Sequence, residues 1–363
     1  MKIVLACGGT GGHIFPAFSV AEELRRRDPN HEIIYICGTK DIESAIFKIV
    51  AGEKVIEIES APFRGTRSLF DLQFLLKLIK GIRKARRILV CERPDVVVGF
   101  GGHFSFPMVC MARQLGIPAL VHEQNVIPGA ANKLLARWAN GVALSFRETE
   151  AYWPSKKGVR FTGNPIRSAI ECDTRQEALA FFGFSPDKIT LLALGGSQGS
   201  ASLNAILIEA FKIMPGNLRE RLQVLHLCGK MSPEESSRLF RSMGVNARAY
   251  SFFERMDLAY GATDLAFGRA GATFLAEIDA KRIPALLVPY PFGNGHQRAN
   301  AEIFTRSHKA VVIEQNELTP ERFLSALEQM LKNYTSGQTR EVGTSSARRL
   351  LADYIFECAE GVK

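Results

Sequence analysis

The chain contains no Cys-x-x-Cys pair, no Asp-x-Asp, and no unbroken apolar run of about 18 residues. Each absence excludes a class. Seven cysteines, an odd number without metal-ligand spacing, exclude a zinc cluster and a secreted disulfide scaffold, and read as reduced, mostly buried thiols. The nearest approach to a membrane span, Val96 to Ala112, is interrupted by Gly99, Gly101, Gly102, His103 and Pro107. It reads as strand, loop and helix. Met1 leads directly into the strand-like Lys2–Ala6, so no signal peptide is expected. The histidines show no i,i+4 pair, and no metal site or cofactor is expected.

What is present points to a two-domain α/β protein. A length of 363 residues, with 46% hydrophobic and 23% charged residues, suits two folded domains at about 150 residues each. Strand-like runs at 2–6, 32–37, 54–58, 95–98, 117–122 and 141–144 alternate with helical patterns such as 16–27 and 70–90. The second half repeats the plan. Strands are expected at 189–194, 222–228, 246–250, 264–267, 284–288 and 309–313, with helices at 202–213, 271–281 and 319–332. This alternation predicts parallel sheets covered by helices on both faces, in two doubly wound, Rossmann-like domains.

The boundary is expected near Gly163-Asn164-Pro165. Each half opens alike: Ile3–Cys7 runs into Gly8-Gly-Thr-Gly-Gly12, and Thr190–Leu194 into Gly195-Gly-Ser-Gln-Gly199. Glycines after a strand let the backbone turn sharply, and the helix that follows presents N–H groups to a phosphate. One such loop is only a tight turn; two at matching places suggest ligand sites facing each other across a cleft. Neither has the spacing of a dinucleotide fingerprint, and the second strand ends in Cys37-Gly38 instead of a ribose-binding acid. A P-loop is absent too. Polar clusters close other strands: His122–Asn125, Gly163–Arg167, Arg269–Thr273 before Glu277, and His296-Gln297. Without Asp-x-Asp, a diphosphate leaving group would need helix N-termini and Arg or Lys.

The net charge is +9, from 46 Lys and Arg against 37 Asp and Glu. Leu72 to Cys91 holds Lys77, Lys80, Arg83, Lys84, Arg86 and Arg87 with no acid, while Leu72, Leu75, Leu76, Ile79 and Ile82 recur at helical spacing. Such a segment suits an anionic membrane surface. Nucleic acid is not expected, since only Phe70 and Phe74 are available there for stacking.

Taken in order, GGTGGH (Gly8–His13), GFGGHFSFP (Gly99–Pro107), HEQN (His122–Asn125), GNPIR (Gly163–Arg167), GGSQG (Gly195–Gly199), RAGATFLAE (Arg269–Glu277) and HQRANA (His296–Ala301) resemble the MurG family over nearly the whole chain. The resemblance implies a GT-B fold of two Rossmann-like domains with a deep cleft. It places an acceptor and membrane-facing domain at 1–162, a UDP-GlcNAc-binding domain at 163–340, and a C-terminal helix in 341–363 packing back toward the first. It implies transfer of N-acetylglucosamine from UDP-GlcNAc to lipid I, giving lipid II for peptidoglycan, by a peripheral enzyme on the cytoplasmic face of the bacterial membrane.

The same resemblance assigns residues. Thr10, Gly11 and Gly12 would face the substrates, Asn125 the N-acetylglucosamine, and Arg167, Ser197 and Gln198 the donor diphosphate. Phe253 falls where main chain reads uracil. Ala272, Thr273, Phe274, Leu275 and Ala276 would form a helix start at the phosphates, with Glu277 accepting from the ribose and Gln297 bonding sugar hydroxyls. Two positions depart from the family pattern: Phe274 stands where Thr is usual, and Gly295 where an acid often precedes His-Gln. For an inverting transfer the base is His13, which otherwise is a structural histidine bonding the loop, or Glu123, which otherwise only orients loops. Membrane contact falls to Leu72, Leu75, Leu76, Lys77, Ile79, Lys80, Arg83 and Lys84. The rivals are a UDP-GlcNAc 2-epimerase of the same fold, a non-catalytic UDP-sugar-binding protein at the membrane surface and, more remotely, an NAD-dependent dehydrogenase.

Overall fold

A computed structural model describes all residues except 39–51, 61–70, 154–157, 197–198, 333, 335–342, 344 and 362–363. Its strands are short and rich in Ile, Val and Leu, as strands buried on both faces require. In chain order they are β1 (Lys2–Ala6), β2 (Glu32–Cys37), β3 (Lys54–Glu57), β4 (Val96–Gly99), β5 (Ala119–Glu123), β6 (Gly141–Leu144) and β7 (Val159–Phe161). The second set is β8 (Ile189–Leu194), β9 (Leu222–Leu227), β10 (Ala247–Tyr250), β11 (Leu265–Gly268), β12 (Ala285–Leu287) and β13 (Ala310–Val312). Every pairing is parallel. The sheet orders are β3-β2-β1-β4-β5-β6-β7 and β10-β9-β8-β11-β12-β13.

The chain divides into two units, Met1–Arg167 with Ser345–Lys363, and Ser168–Thr344. The division falls after Arg167, four residues beyond the glycine at which the sequence suggested it. Gly163–Arg167 is tied to the first unit: the Gly163 carbonyl lies 3.2 Å from His122 Nε2, and the Arg167 guanidinium sits 4.4 Å over the Phe15 ring.

Side-chain alternation along β1 sorts the first core into two layers. Ile3 and Leu5 face the helices Gly11–Arg27 and Ala347–Glu360; Val4 and Ala6 face Leu72–Glu92 and Gly102–Gln114. In the second unit Ile189, Leu191 and Ala193 face the helices Ala201–Ile213 and Pro320–Leu331. Leu5 and Leu191 have no exposed surface, so truncating either to Ala costs about 2–5 kcal/mol.

The first helix begins at Gly11, five residues before the expected 16, with Pro16 inside it. Glycine and proline both read as breakers locally, yet packing against the sheet carries the helix through them. Helix Leu72–Glu92 also differs from its sequence reading. Phe74, Gly81, Ala85, Ile88 and Leu89 are its buried face, whereas Leu72, Leu76 and Ile79 are exposed and Leu75 is half-buried. The apolar residues therefore form two stripes, and only one faces the core.

Candidate active site

Parallel sheets bind ligands at the carboxyl ends of strands, where neighbouring loops diverge at the switch in strand order. That switch lies between β1 and β4 in the first unit and between β8 and β11 in the second. Both glycine loops stand there.

In the first unit Gly9 takes φ +87° and Thr10, extended at φ −155°, starts the helix Gly11–Arg27. The Thr10 carbonyl accepts from the N–H of His13 at 3.0 Å and of Ile14 at 3.2 Å. His13 lies 3.2 Å through Nδ1 from the Gly8 carbonyl. A carbonyl only accepts, so Nδ1 carries the hydrogen and Nε2 holds the lone pair. Burial lowers the pKa of His13; the Gly8 bond and the charge of Glu123 oppose this in part. The ring is therefore neutral near pH 7.

A second glycine turn seats this histidine. After β4, Gly101 (φ +88°) and Gly102 (φ +71°) pass so close that a Cβ on Gly101 would lie 3.4 Å from His13 Nε2, and one on Gly102 3.4 Å from Nδ1. The positive φ values call for glycine, and the Cβ positions would stand in contact with the ring. Ser105 fixes the turn by donating to the carbonyls of Ala6 (2.9 Å) and Gly101 (2.7 Å). The sequence reading noted GFGGHFSFP without giving these glycines a role.

Glu123 is almost fully buried and saturated with donors. Oε1 accepts from the Asn125 N–H at 2.9 Å and from the Asn125 amide at 3.3 Å. Oε2 accepts from the Gly129 N–H at 3.0 Å and Asn132 Nδ2 at 2.8 Å. It shapes the loop that carries Asn125, itself half-buried, whose carbonyl accepts from Thr149. His122 beside it is neutral: burial pushes its pKa down to about 4. Its ring nitrogens meet the Gly163 carbonyl and the amide of Gln124, 2.9 Å away.

In the second unit, Gly195 packs so closely against Ser200 that a Cβ would overlap the Ser200 backbone nitrogen. Ser197 and Gln198 lie outside the described residues. Arg269 directly follows β11. Nη1 donates to the carbonyls of Val288 and Pro289, and Nη2 to Ser200 Oγ (3.1 Å), Ser202 Oγ (3.3 Å) and Gln315 Oε1 (2.7 Å). It joins three strand ends through neutral partners, and burial lowers its pKa. The sequence placed Arg269 in a polar cluster but showed none of its partners, which come from three different segments.

Helix Ala272–Ala280 follows, with Ala272, Thr273, Phe274, Leu275 and Glu277 buried and Ala276 half-buried. The Phe274 ring lies beside Gly268, 3.5 Å from where a Cβ there would stand. The Tyr260 hydroxyl donates to Glu277 Oε2 at 2.7 Å and orients the carboxylate. Phe253 lies in a cluster with Phe181, Phe182 and Tyr250, its centroid 4.7 Å from that of Tyr250. Gln297, in the first turn of the helix His296–Thr305, accepts from the Tyr290 N–H at 2.9 Å through Oε1. Gly295 takes φ +75° as the N-cap of that helix, a conformation that an acid in its place would adopt only under strain. Among the described residues no group of three His, Cys, Asp or Glu is placed to hold a metal ion.

Two family models match the chain: the glycosyltransferase family 28 N-terminal domain over residues 3–144 and its C-terminal domain over 190–353. A relative from Halothermothrix orenii, a UDP-N-acetylglucosamine–N-acetylmuramyl-(pentapeptide) pyrophosphoryl-undecaprenol N-acetylglucosamine transferase, is 36% identical, over 99% of this chain and 100% of its own. The crystal structure of Acinetobacter baumannii MurG is similar at a TM-score of 0.70 and 28% identity, covering 98% of this chain and 99% of that one. A UDP-GlcNAc 2-epimerase from Neisseria meningitidis, at a TM-score of 0.66 and 13% identity over 98% of this chain and 100% of its own, shares the fold alone.

Proposed function

The chain belongs to glycosyltransferase family 28 and within it to the MurG transferases, and from that premise we propose how its own residues carry the reaction. It is an N-acetylglucosaminyltransferase that moves the sugar of UDP-GlcNAc onto lipid I to give lipid II. The observation that carries our reading of the site is the seating of His13 between two glycine turns, with Nδ1 spent on the Gly8 carbonyl and Nε2 left basic.

In this reading His13 Nε2 takes the proton of the muramyl 4-hydroxyl as that oxygen attacks the anomeric carbon. The bond from that carbon to the diphosphate breaks on the opposite face, so configuration inverts. A base must begin unprotonated, and burial favours that; the nearby charge of Glu123 then favours the imidazolium that forms. Glu123, with both oxygens engaged, positions the loop of Asn125 and is not the base. Thr10, Gly11 and Gly12 face the substrates, and Asn125 contacts the transferred sugar.

For the donor, the start of helix Ala272–Ala280 stabilises the departing diphosphate, and Glu277, held by Tyr260, accepts from the ribose. Gln297 donates its amide to sugar hydroxyls, and main chain at Phe253 reads uracil. Arg167, Ser197 and Gln198 are assigned to the diphosphate on the resemblance alone. The deciding measurement is UDP release from UDP-GlcNAc with and without a polyprenyl-diphosphate muramyl peptide. Release that requires the acceptor supports transfer; interconversion of the UDP-sugar without it would support the epimerase, and binding without release the non-catalytic reading.

No helix among the described residues is long and apolar enough to cross a membrane. We place the enzyme peripherally on an anionic cytoplasmic leaflet, docked by helix Leu72–Glu92. Supporting this, Leu72, Leu76 and Ile79 are 70%, 50% and 46% exposed at helical spacing, beside exposed Lys77, Lys80, Arg83 and Lys84. Each cation near such a surface contributes about 1 kcal/mol, and inserted apolar side chains add to it. Flotation with anionic vesicles should be lost in neutral ones, in high salt, and when the four cations become Gln; equal flotation of parent and variant would remove this helix from the interface.

A further inference from the structure

The two donor-facing helices of the second unit are joined at the ends remote from the ligand. Helix Ala272–Ala280 begins after β11 and carries Glu277; helix His296–Thr305 begins after β12 and carries Gln297. Near their starts Asn300, fully buried, donates to the Ala270 carbonyl at 3.3 Å. In the last turn of the first helix, Asp279 Oδ1 lies 2.5 Å from Nε2 of His308, just beyond the second. The other ring nitrogen, Nδ1, lies 2.9 Å from the Phe304 carbonyl and 3.0 Å from the Ser307 hydroxyl, and the ring stacks on Phe304 at 4.1 Å and 10°.

The ring nitrogens face two acceptors, the Asp279 carboxylate and the Phe304 carbonyl, and the imidazolium donates to both; the neutral tautomer keeps its Nε2–H on Asp279 and accepts from the Ser307 hydroxyl at Nδ1, without the charge. We propose that His308, as imidazolium, and Asp279 form an ionic clamp that sets the spacing of the two donor helices and so positions Glu277 and Gln297 for the UDP-sugar. They are positioning residues and touch no substrate. The clamp rests on the donor reading above and adds a control to it.

The charged groups facing His308 among the described residues are Asp279, in helix Ala272–Ala280, and Arg282, which follows it 4.0 Å from Asp279. The Asp279 hydrogen bond and charge hold the pKa of His308 above its ordinary 6.5; burial and Arg282 work against this. A raised value means that the clamp is complete below 6.5 and is lost as pH rises through the higher, folded-state pKa. The Michaelis constant for UDP-GlcNAc should then climb on the alkaline side. Turnover, limited by protonation of His13, should fall only on the acid side. The two limbs are separable.

The test is the pH profile of KM and kcat for the full chain, with the imidazole titrations followed by NMR. Expected are a His308 titration above 6.5, a KM that rises several-fold along it, and an unchanged kcat over the same range. Asp279→Asn and His308→Asn should fix KM at the high value at every pH, and His308→Arg should keep it low at alkaline pH. A parental KM profile in His308→Asn, or a His308 titration at or below 6.5, overturns the clamp. Should a variant fail to fold, the profile and titration of the unsubstituted chain decide. Glu277→Ala and Gln297→Ala separate the two readings. If they leave KM unchanged, the donor site is wrong; if they raise it while the clamp variants do not, only the clamp is wrong.

Discussion

The two units solve one problem with different materials. Each brings a buried strand into a glycine turn at the switch in strand order, and each has a second loop beside it, after β4 or after β11. In the first unit that second loop is Gly101-Gly102, which adds no side chain and leaves room for an imidazole with a basic nitrogen. In the second it begins with Arg269, whose guanidinium fills the space and ties β8, β12 and β13 through their loops. In our reading the bare turn seats the group that exchanges a proton. The filled turn instead fixes a buried guanidinium on five neutral acceptors.

The units agree in one respect, which gives the largest expected effect. Each buries a neutral histidine: His122 and His226 both have pKa values pushed down to about 4 by burial. His226 bridges Ser236 (2.7 Å) and Asn204 (3.0 Å). Their folded values lie below the unfolded 6.5, so the unfolded chain binds more protons between these limits. Stability is full above 6.5 and lost as pH falls toward 4, by up to about 3 kcal/mol from each histidine. Both tryptophans, Trp138 and Trp153, belong to the first unit, so fluorescence follows that unit and far-ultraviolet circular dichroism the whole. Acid sensitivity confined to one signal would break the symmetry.

Next in size is the contrast itself. His13→Ala should lower kcat by about a hundredfold or more and leave UDP affinity nearly intact. Reduced thermal stability with near-normal turnover would return His13 to a structural role. Glu277→Ala should do the reverse, weakening UDP binding by roughly ten- to a hundredfold in calorimetry, the scale of a hydrogen bond to a charged group. Unchanged affinity in a folded variant would take Glu277 out of the site. Smallest is a comparison of glycines. Gly101→Ala places a side chain at φ +88° against His13 and should cost about 1–2 kcal/mol in denaturation. Gly271→Ala, at φ −70° with no atom within 4 Å, should be nearly neutral. Equal costs would mean that the bare turn has no special function.

The sequence determined by itself whatever depends on near neighbours in the chain. Apolar runs of strand length, helical spacing between them and glycines at their junctions specified two parallel α/β halves, because backbone geometry and side-chain periodicity are local properties. The ordered motifs placed His13, Glu277 and Gln297 at strand and helix ends for the same reason. Tertiary structure alone decided the rest. That Glu123 spends both oxygens on a loop, that Arg269 reaches Ser200, Ser202 and Gln315, and that Tyr260 orients Glu277 are meetings of distant segments. Helix Leu72–Glu92 shows the division within one element. Its periodicity announced an amphipathic helix, but which apolar stripe is buried was set by the close approach of Gly81 to the Glu59 carbonyl and by packing against helix Gly102–Gln114. Hydrophobic burial has no direction of its own, and the neighbours supply it.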